Sequence, residues 1–310
     1  MAVFMHLIVP FAAVPSDAGR QALHDLPLPQ LERLLARLQP APVDAGDELA
    51  LSPPHERALA QALGWPVIDG KLPWAARLAA AQGLPTGDHA WGLLTPLHLQ
   101  VGTEQVSMTD PASLQLDEAA SRELLDIVRP LLETEGFTLH WAAPLQWLAT
   151  HPVFDGLATA SLDRVVGRNI DPWLPDRRAA RLIRRIENEV QMLLYTHPLN
   201  DRREAAGLPS VNSFWASGCG RALPEAAPAP IVDDRLRAPA LGEDWIAWRE
   251  AWQQLEAGPV AALARHDGPV TLTLCGERAA QAFETGSPSL WERVSSTWRR
   301  PALHTILEAL

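Results

Sequence analysis

The segment TPLHLQVGTEQVSM, residues 95–108, constrains this chain more than any other stretch, because its apolar and polar residues alternate about a tight-turn signal. Gly102-Thr103 fits the Gly-first, two-residue loop of a β-hairpin. In that register Leu99 faces Val106 and Leu97 faces Met108, while His98 faces Ser107 and Gln100 faces Gln105. One face of the pair is then apolar and the other polar. His98, Gln100, Gln105 and Ser107 form a polar strip on a rigid element, which suits a ligand. The same pattern also serves as the solvated outer face of an antiparallel pair.

Around this hairpin, short β-like runs alternate with helical ones, the mark of an α/β chain with a sheet flanked by helices. Phe4 to Val9 reads as a buried first strand. Pro29 to Leu38 repeats apolar residues at helical spacing, and Ser52-Pro53 reads as the N-cap and first turn of a helix running to Leu63. Asp117 to Thr134 is helical, with Pro130 expected to kink or split it, and Phe137 to Trp141 suits a strand. The longest helix is expected from Asp176, its N-cap, to about Tyr195. It carries one stripe of Ala179, Ile183, Ile186, Val190 and Leu193, and stops before His197-Pro198. Residues 222–242 hold Pro224, Pro228, Pro230 and Pro239 and read as a long Pro/Ala-rich loop. A tryptophan-bearing helix (Trp245, Trp248, Trp252, Leu255), a strand from Val270 to Leu274 and a last helical stretch with Leu290, Trp291, Val294 and Trp298 follow. A lone strand gains stability only by joining others, so 243–310 is expected to complete the main sheet of a single 1–310 domain.

Composition narrows the function. The 310 residues carry 26 Lys plus Arg against 37 Asp plus Glu, a net charge of −11 that argues against nucleic acid and anionic lipid as partners. Lys71 is the one lysine, so abundant arginine is a habit of the whole chain and weak evidence for phosphate recognition. Two cysteines, Cys219 and Cys275, make neither a disulfide scaffold nor a four-thiolate metal site, which points to a reduced, cytoplasmic protein. No apolar run reaches the ~20 residues of a membrane-spanning helix. Ala2 to Val14 lacks the basic start of a signal peptide.

Two regions hold candidate chemistry. In NEVQMLLYTHPLND (188–201), His197, Asn200 and Asp201 crowd a connection after the long helix; Asp201 equally suits a helix cap and His197 a helix-end role. In VNSFWASGCG (211–220), Asn212 and Ser213 are expected in a strand leading to a Gly218-Cys219-Gly220 turn, whose thiol is either reactive or simply packed. Arg164, Arg168, Arg177, Arg178, Arg181, Arg184 and Arg185 offer a basic patch for phosphate or a solvated helix face beside nearby acids. Asp88-His89 is too short a pair to specify a metal. No HExxH, P-loop, GxSxG or paired CxxC is present.

The opening MHLIVPFA, with TPLHLQVGTEQVSMTDP, GFTLHWAAPLQWL, LDRVVGRNID and NEVQMLLYTHPLND…VNSFWASGCG, resembles a proteobacterial family labelled cofactor-independent phosphoglycerate mutase-like, or regulatory proteins of the RpfE type. The resemblance spans roughly residues 4–221. It implies an alkaline-phosphatase-like α/β sheet, with two divalent metals (Mn or Zn) held by Asp and His beside a Ser or Thr nucleophile. The resemblance also implies an Asp at the end of the first strand, where this chain has Val9-Pro10-Phe11. His266-Asp267 and Asp233-Asp234 lack the spacing of the later ligands. The expectation is therefore a non-catalytic or regulatory protein that binds a small phosphorylated ligand or a protein partner, through Gln100, Gln105, Ser107, Asn200, Asn212, Ser213, Arg164 and Arg168. The alternative is an active metal-dependent mutase or phosphatase using His98, Glu104, His197 and Asp201. A nucleic-acid-metabolism accessory acting through the arginine-rich window ranks last.

Overall fold

The computed structural model describes residues 4–24, 26–176, 178, 180–286 and 303–310. Strand β1 (Met5–Val9), helices α1 (Asp17–His24) and α2 (Pro29–Leu35), two-residue strands β2 (Gln39–Pro40) and β3 (Asp44–Ala45) and helix α3 (Pro54–Ala62) come first. Then follow α4 (Trp74–Ala81), β4 (Ala90–Leu97), β5 (Leu99–Val101), β6 (Val106–Met108), α5 (Glu118–Thr134), β7 (Thr138–Ala143), β8 (Gln146–Thr150), α6 (Leu162–Val165), α7 (Arg181–Tyr195), α8 (Pro198–Ala205) and β9 (Ser213–Arg221). The last described elements are β10 (Ile231–Val232), α9 (Arg237–Leu241), α10 (Trp245–Leu255), α11 (Ala261–Arg265), β11 (Val270–Cys275), β12 (Ala279–Glu284) and α12 (Leu303–Glu308). They make two compact α/β units: Met1–Glu48 with Pro53–Trp65 and Glu225–Leu310, and Leu49–Ser52 with Pro66–Pro224.

The first unit is built on a mixed sheet in the order β10-β1-β11-β12-β2, with β3 also on β12. Strand β1 runs parallel to both neighbours, pairing Leu7 with Ile231 and with Leu272. Its alternation decides what each face meets. Leu7 and Val9 join Leu272, Leu274, Trp248, Trp252 and Leu31 in one core, while Ile8 meets Ala58 of α3, Cys275 and Ala280 on the other face. Helix α2 begins at Pro29, and the buried Glu256 accepts hydrogen bonds from Gln30 N and from Leu31 N at 3.1 Å. A carboxylate from distant sequence thus fills the place of an N-cap. Within 222–242 the chain contains strand β10 and helix α9, and the Val270–Cys275 strand lies beside β1.

The second unit holds an antiparallel sheet in the order β7-β8-β4-β9 and the separate pair β5-β6. Helices α5 and α7 pack Leu124, Leu125, Val128, Ile183, Ile186 and Val190 against one face of the four-stranded sheet. Helix α4 sets Ala75, Ala76 and Ala79 against Trp91 and Leu148 on the other. The approach of α4 is close: a Cβ on Gly218, already at φ +61, would lie 3.0 Å from Trp74 Cβ and 3.1 Å from Ala75 N.

Several sequence expectations are corrected. Helix α5 runs unbroken through Pro130. Ser52 does not cap α3, whose N-cap is Pro53; the Ser52 hydroxyl instead accepts from Gly70 N at 2.9 Å. The long helix starts at Arg181, and Asp176 folds back on its own neighbour, accepting from Arg178 N at 2.9 Å, an Asx turn in place of a cap. Gly218-Cys219-Gly220 is no turn but part of β9, opposite β4 at a register shift between Trp91 and Leu93. The bulge explains how two glycines with positive φ sit inside a strand. The stretch with Leu290, Trp291, Val294 and Trp298 lies outside the described residues.

Candidate functional site

The hairpin forms, but two residues out of the expected register. Leu99 pairs with Met108, Gln100 with Ser107 and Val101 with Val106, so the loop is the four residues 102–105, closed by Gly102 N donating to Gln105 O at 2.9 Å. An even slip leaves every side chain on its expected face, because strand side chains alternate with period two. Residues 166–170 run along β6: Ser107 bridges Asn169, Met108 bridges Val166, and Ile170 N donates to Val106 O at 3.0 Å. Gln100, Ser107 and Asn169 therefore lie side by side, with Arg168, whose carbonyl accepts from Met108 N at 3.2 Å, next in line.

His98 stands at the root of this ribbon, between β4 and β5, half-buried. Its Nδ1 lies 2.8 Å from the Ser210 carbonyl oxygen, which can only accept, so Nδ1 carries a proton and donates it there. Its own carbonyl accepts from Thr109 N at 3.1 Å and Thr109 Oγ1 at 3.0 Å. The Asn212 side chain acts as a piece of β-ladder: Oδ1 accepts from Leu99 N at 2.7 Å and Nδ2 donates to Leu99 O at 2.9 Å. Asn200, fully buried in α8, does the same to Val211, accepting from its N–H and donating to its C=O, both at 2.8 Å, and also donates to Leu194 O at 2.9 Å. These two amides and His98 hold residues 210–212 against the ribbon root.

The remaining candidates are dispersed. His197 ends no helix; it caps α8, with Nδ1 accepting from Leu199 N at 3.1 Å. Asp201 is exposed in the first turn of α8, while Glu104 and Gln105 are exposed in the hairpin loop. Ser213 is buried, its hydroxyl 3.4 Å from the Phe214 carbonyl. Arg164 is buried, donating from Nε to Ala50 O at 2.9 Å with its guanidinium 5.0 Å from the Trp173 ring centre, and does not join Arg168 at the ribbon. Cys219 and Cys275 are both buried; burial pushes the Cys219 thiol up to about 12 and raises that of Cys275 still more. The reactive reading of Cys219 is thereby replaced by the packed one.

Asn169, Ser210 and Thr109 escaped the sequence reading, as did Arg203. That buried side chain donates from Nε to Pro209 O at 2.8 Å and from its terminal nitrogen to Leu114 O at 2.6 Å, and burial lowers its pKa. The signal in LDRVVGRNI is real, but which strand it would flank is not visible along one chain.

No protein-family model matches the chain, and no curated protein matches it. Solved structures similar to it include the PH0037 protein from Pyrococcus horikoshii, at 11% identity and a TM-score of 0.48 over 92% of this chain and 88% of that one. They also include a cofactor-independent phosphoglycerate mutase from Thermoplasma acidophilum DSM 1728, at 12% identity and a TM-score of 0.37 over 100% of this chain and 99% of that one. Likenesses of that depth carry no activity across to this chain. The two-metal centre implied by the sequence resemblance also finds no fit. Among the described residues no three His, Cys, Asp or Glu side chains converge to hold a metal ion. Strand β1 ends at Val9 and is followed by Pro10 and Phe11, with no carboxylate, and both oxygens of Asp233 are engaged by Arg235, at 2.7 and 2.8 Å. Nor is any described helix long and apolar enough to cross a membrane.

Proposed function

We propose that this chain is a non-catalytic binding protein that receives a small phosphorylated ligand on the polar face of the β5-β6 ribbon. The observation that carries this reading is the use made of the titratable candidates. His98 and His197 each commit a ring nitrogen to a backbone group, and Glu104 and Asp201 stand exposed on separate elements. General acid–base or metal chemistry requires such groups to converge on one reacting centre. Gln100 and Ser107, by contrast, pair across β5 and β6 and Ser107 bridges Asn169, with Arg168 next to it in the chain, on a frame fixed by two asparagine amides. Amide, hydroxyl and guanidinium donors set on such a frame suit a phosphate with few rotamers left to order.

Calorimetric titration of 3-phosphoglycerate and of inorganic phosphate into the full chain tests this. Saturable binding tighter than ~1 mM, about −4 kcal/mol, is expected, weakened at least tenfold by Arg168→Ala. Absence of binding, or binding indifferent to Arg168→Ala, contradicts it.

A further inference from the structure

Helix α7 carries a second stripe, on the side opposite the one it buries. Arg181, Arg185, Asn188, Met192 and Tyr195 recur at steps of four and three, and all five are exposed. That spacing keeps them in one line along a 15-residue helix, about 22 Å from end to end. Met192 is 73% exposed and Tyr195, the one tyrosine of the chain, 81% exposed, with Leu193 beside them also exposed. Large apolar and aromatic side chains grouped on one exposed turn mark a protein-binding face, and Tyr and Met are the residue types enriched there.

The charges of α7 run against its own dipole, and this selects the occupant. Its first turn, the positive end, holds Arg181 and no acidic residue, and its last turn, the negative end, holds no basic one. Arg185, nearer the middle, is paired with Glu135 and, at 3.8 Å, with Glu189. Two copies of α7 laid antiparallel about a two-fold axis near Asn188 correct the mismatch at both ends. Each Arg181 then lies beside the last turn of the other helix, where the carbonyl end of the helix and the Tyr195 ring both attract a cation. The two Asn188 amides meet at the middle, and the contact closes with two copies. A parallel pairing would set arginine on arginine.

We propose that the outward face of α7 is an interface for a second copy of this chain, the two helices paired antiparallel. One helix pair buries less than the ~1,600 Å² of a standard interface, so the dimer is weak, with a Kd in the micromolar range or above. The interface is independent of the ribbon and of any phosphate chemistry. Sedimentation velocity on the full chain, from micromolar to hundreds of micromolar, tests it. Tyr195→Ala and Arg181→Glu are run alongside, and circular dichroism melts report that each variant is folded. Arg181→Glu places an acid at the N-terminus of α7, which favours the isolated helix, so any weakening of the dimer belongs to the contact. A third variant, Asn188→Cys, is treated with a short bismaleimide; Cys219 and Cys275 are buried and do not compete. The expected result is a reversible monomer–dimer equilibrium, with a Kd raised at least tenfold by Tyr195→Ala and by Arg181→Glu. Asn188→Cys is expected to be bridged into covalent dimers at concentrations where the wild type associates. A chain monomeric throughout overturns the proposal and leaves the face to a different protein. So does a dimer indifferent to either substitution, or one in which Asn188→Cys is not bridged.

Discussion

Ser121 is a small polar residue on α5 that organises the packing of the second unit. It is fully buried, donates its hydroxyl to the Pro144 carbonyl at 2.7 Å, and accepts from the indole nitrogens of both Trp141 and Trp147 at 3.0 Å. Buried indole N–H groups need an acceptor, and one hydroxyl oxygen has two lone pairs to offer. Ser121→Ala leaves two donors and one carbonyl without partners, and we expect a loss of about 2–4 kcal/mol in denaturant unfolding, with a shift in tryptophan emission. A loss under half a kcal/mol would show that water takes over the role. In the sequence, Ser121 was one polar position among the leucines of an amphipathic helix; its partners are 20 and 26 residues away, and periodicity does not report such pairings. The same holds for Asn200 and Asn212: the sequence marks them as polar residues in a distinctive block, and the structure spends their amides on Val211 and Leu99 backbone groups.

Helix α7 shows how an element couples to pH. Ile183, Ile186 and Val190 of its expected stripe pack inward, but Leu194 takes the buried place expected of Leu193, which is exposed, Ala179 lies outside the described residues, and Glu187 sits beside the stripe. Burial pushes the Glu187 carboxyl up to about 8 against the opposing pull of Arg184. A folded value above the unfolded 4.5 means that the protonated form is favoured in the native chain. The contribution to stability is full below pH 4.5 and is lost as pH rises through about 8. Thermal melts of Glu187→Gln against wild type are therefore expected to agree near pH 4.5 and diverge above it, with the variant the more stable at pH 8.5. Parallel curves across that range would place the carboxyl in water. Elements with strong periodicity or alternation (β1, α5, α7, α10, β11) are legible from the sequence. Their ends are less so, because caps such as Glu256 on α2 come from other parts of the chain, and Ser52 and Asp176 spend their side chains elsewhere.

At the scale of the whole molecule, the alternation of strands and helices correctly indicates an α/β chain, and the structure divides it into a unit around β1 and a unit around β4. Division of this kind depends on which strands find each other, and single-sequence patterns say little about that. The candidate site is legible in part: the hairpin and its polar face are plain, while the role of 166–170 as the neighbour of β6 emerges only from the fold. We propose that this α/β chain serves binding and not turnover; among the described residues no three His, Cys, Asp or Glu side chains gather to hold a metal ion, and His98 and His197 each spend a ring nitrogen on a backbone group. The most direct test is a turnover assay of 3-phosphoglycerate with the purified full chain in added manganese. No conversion to 2-phosphoglycerate and no release of phosphate above the protein-free control is predicted; conversion that scales with protein concentration and disappears with His197→Ala would contradict the account.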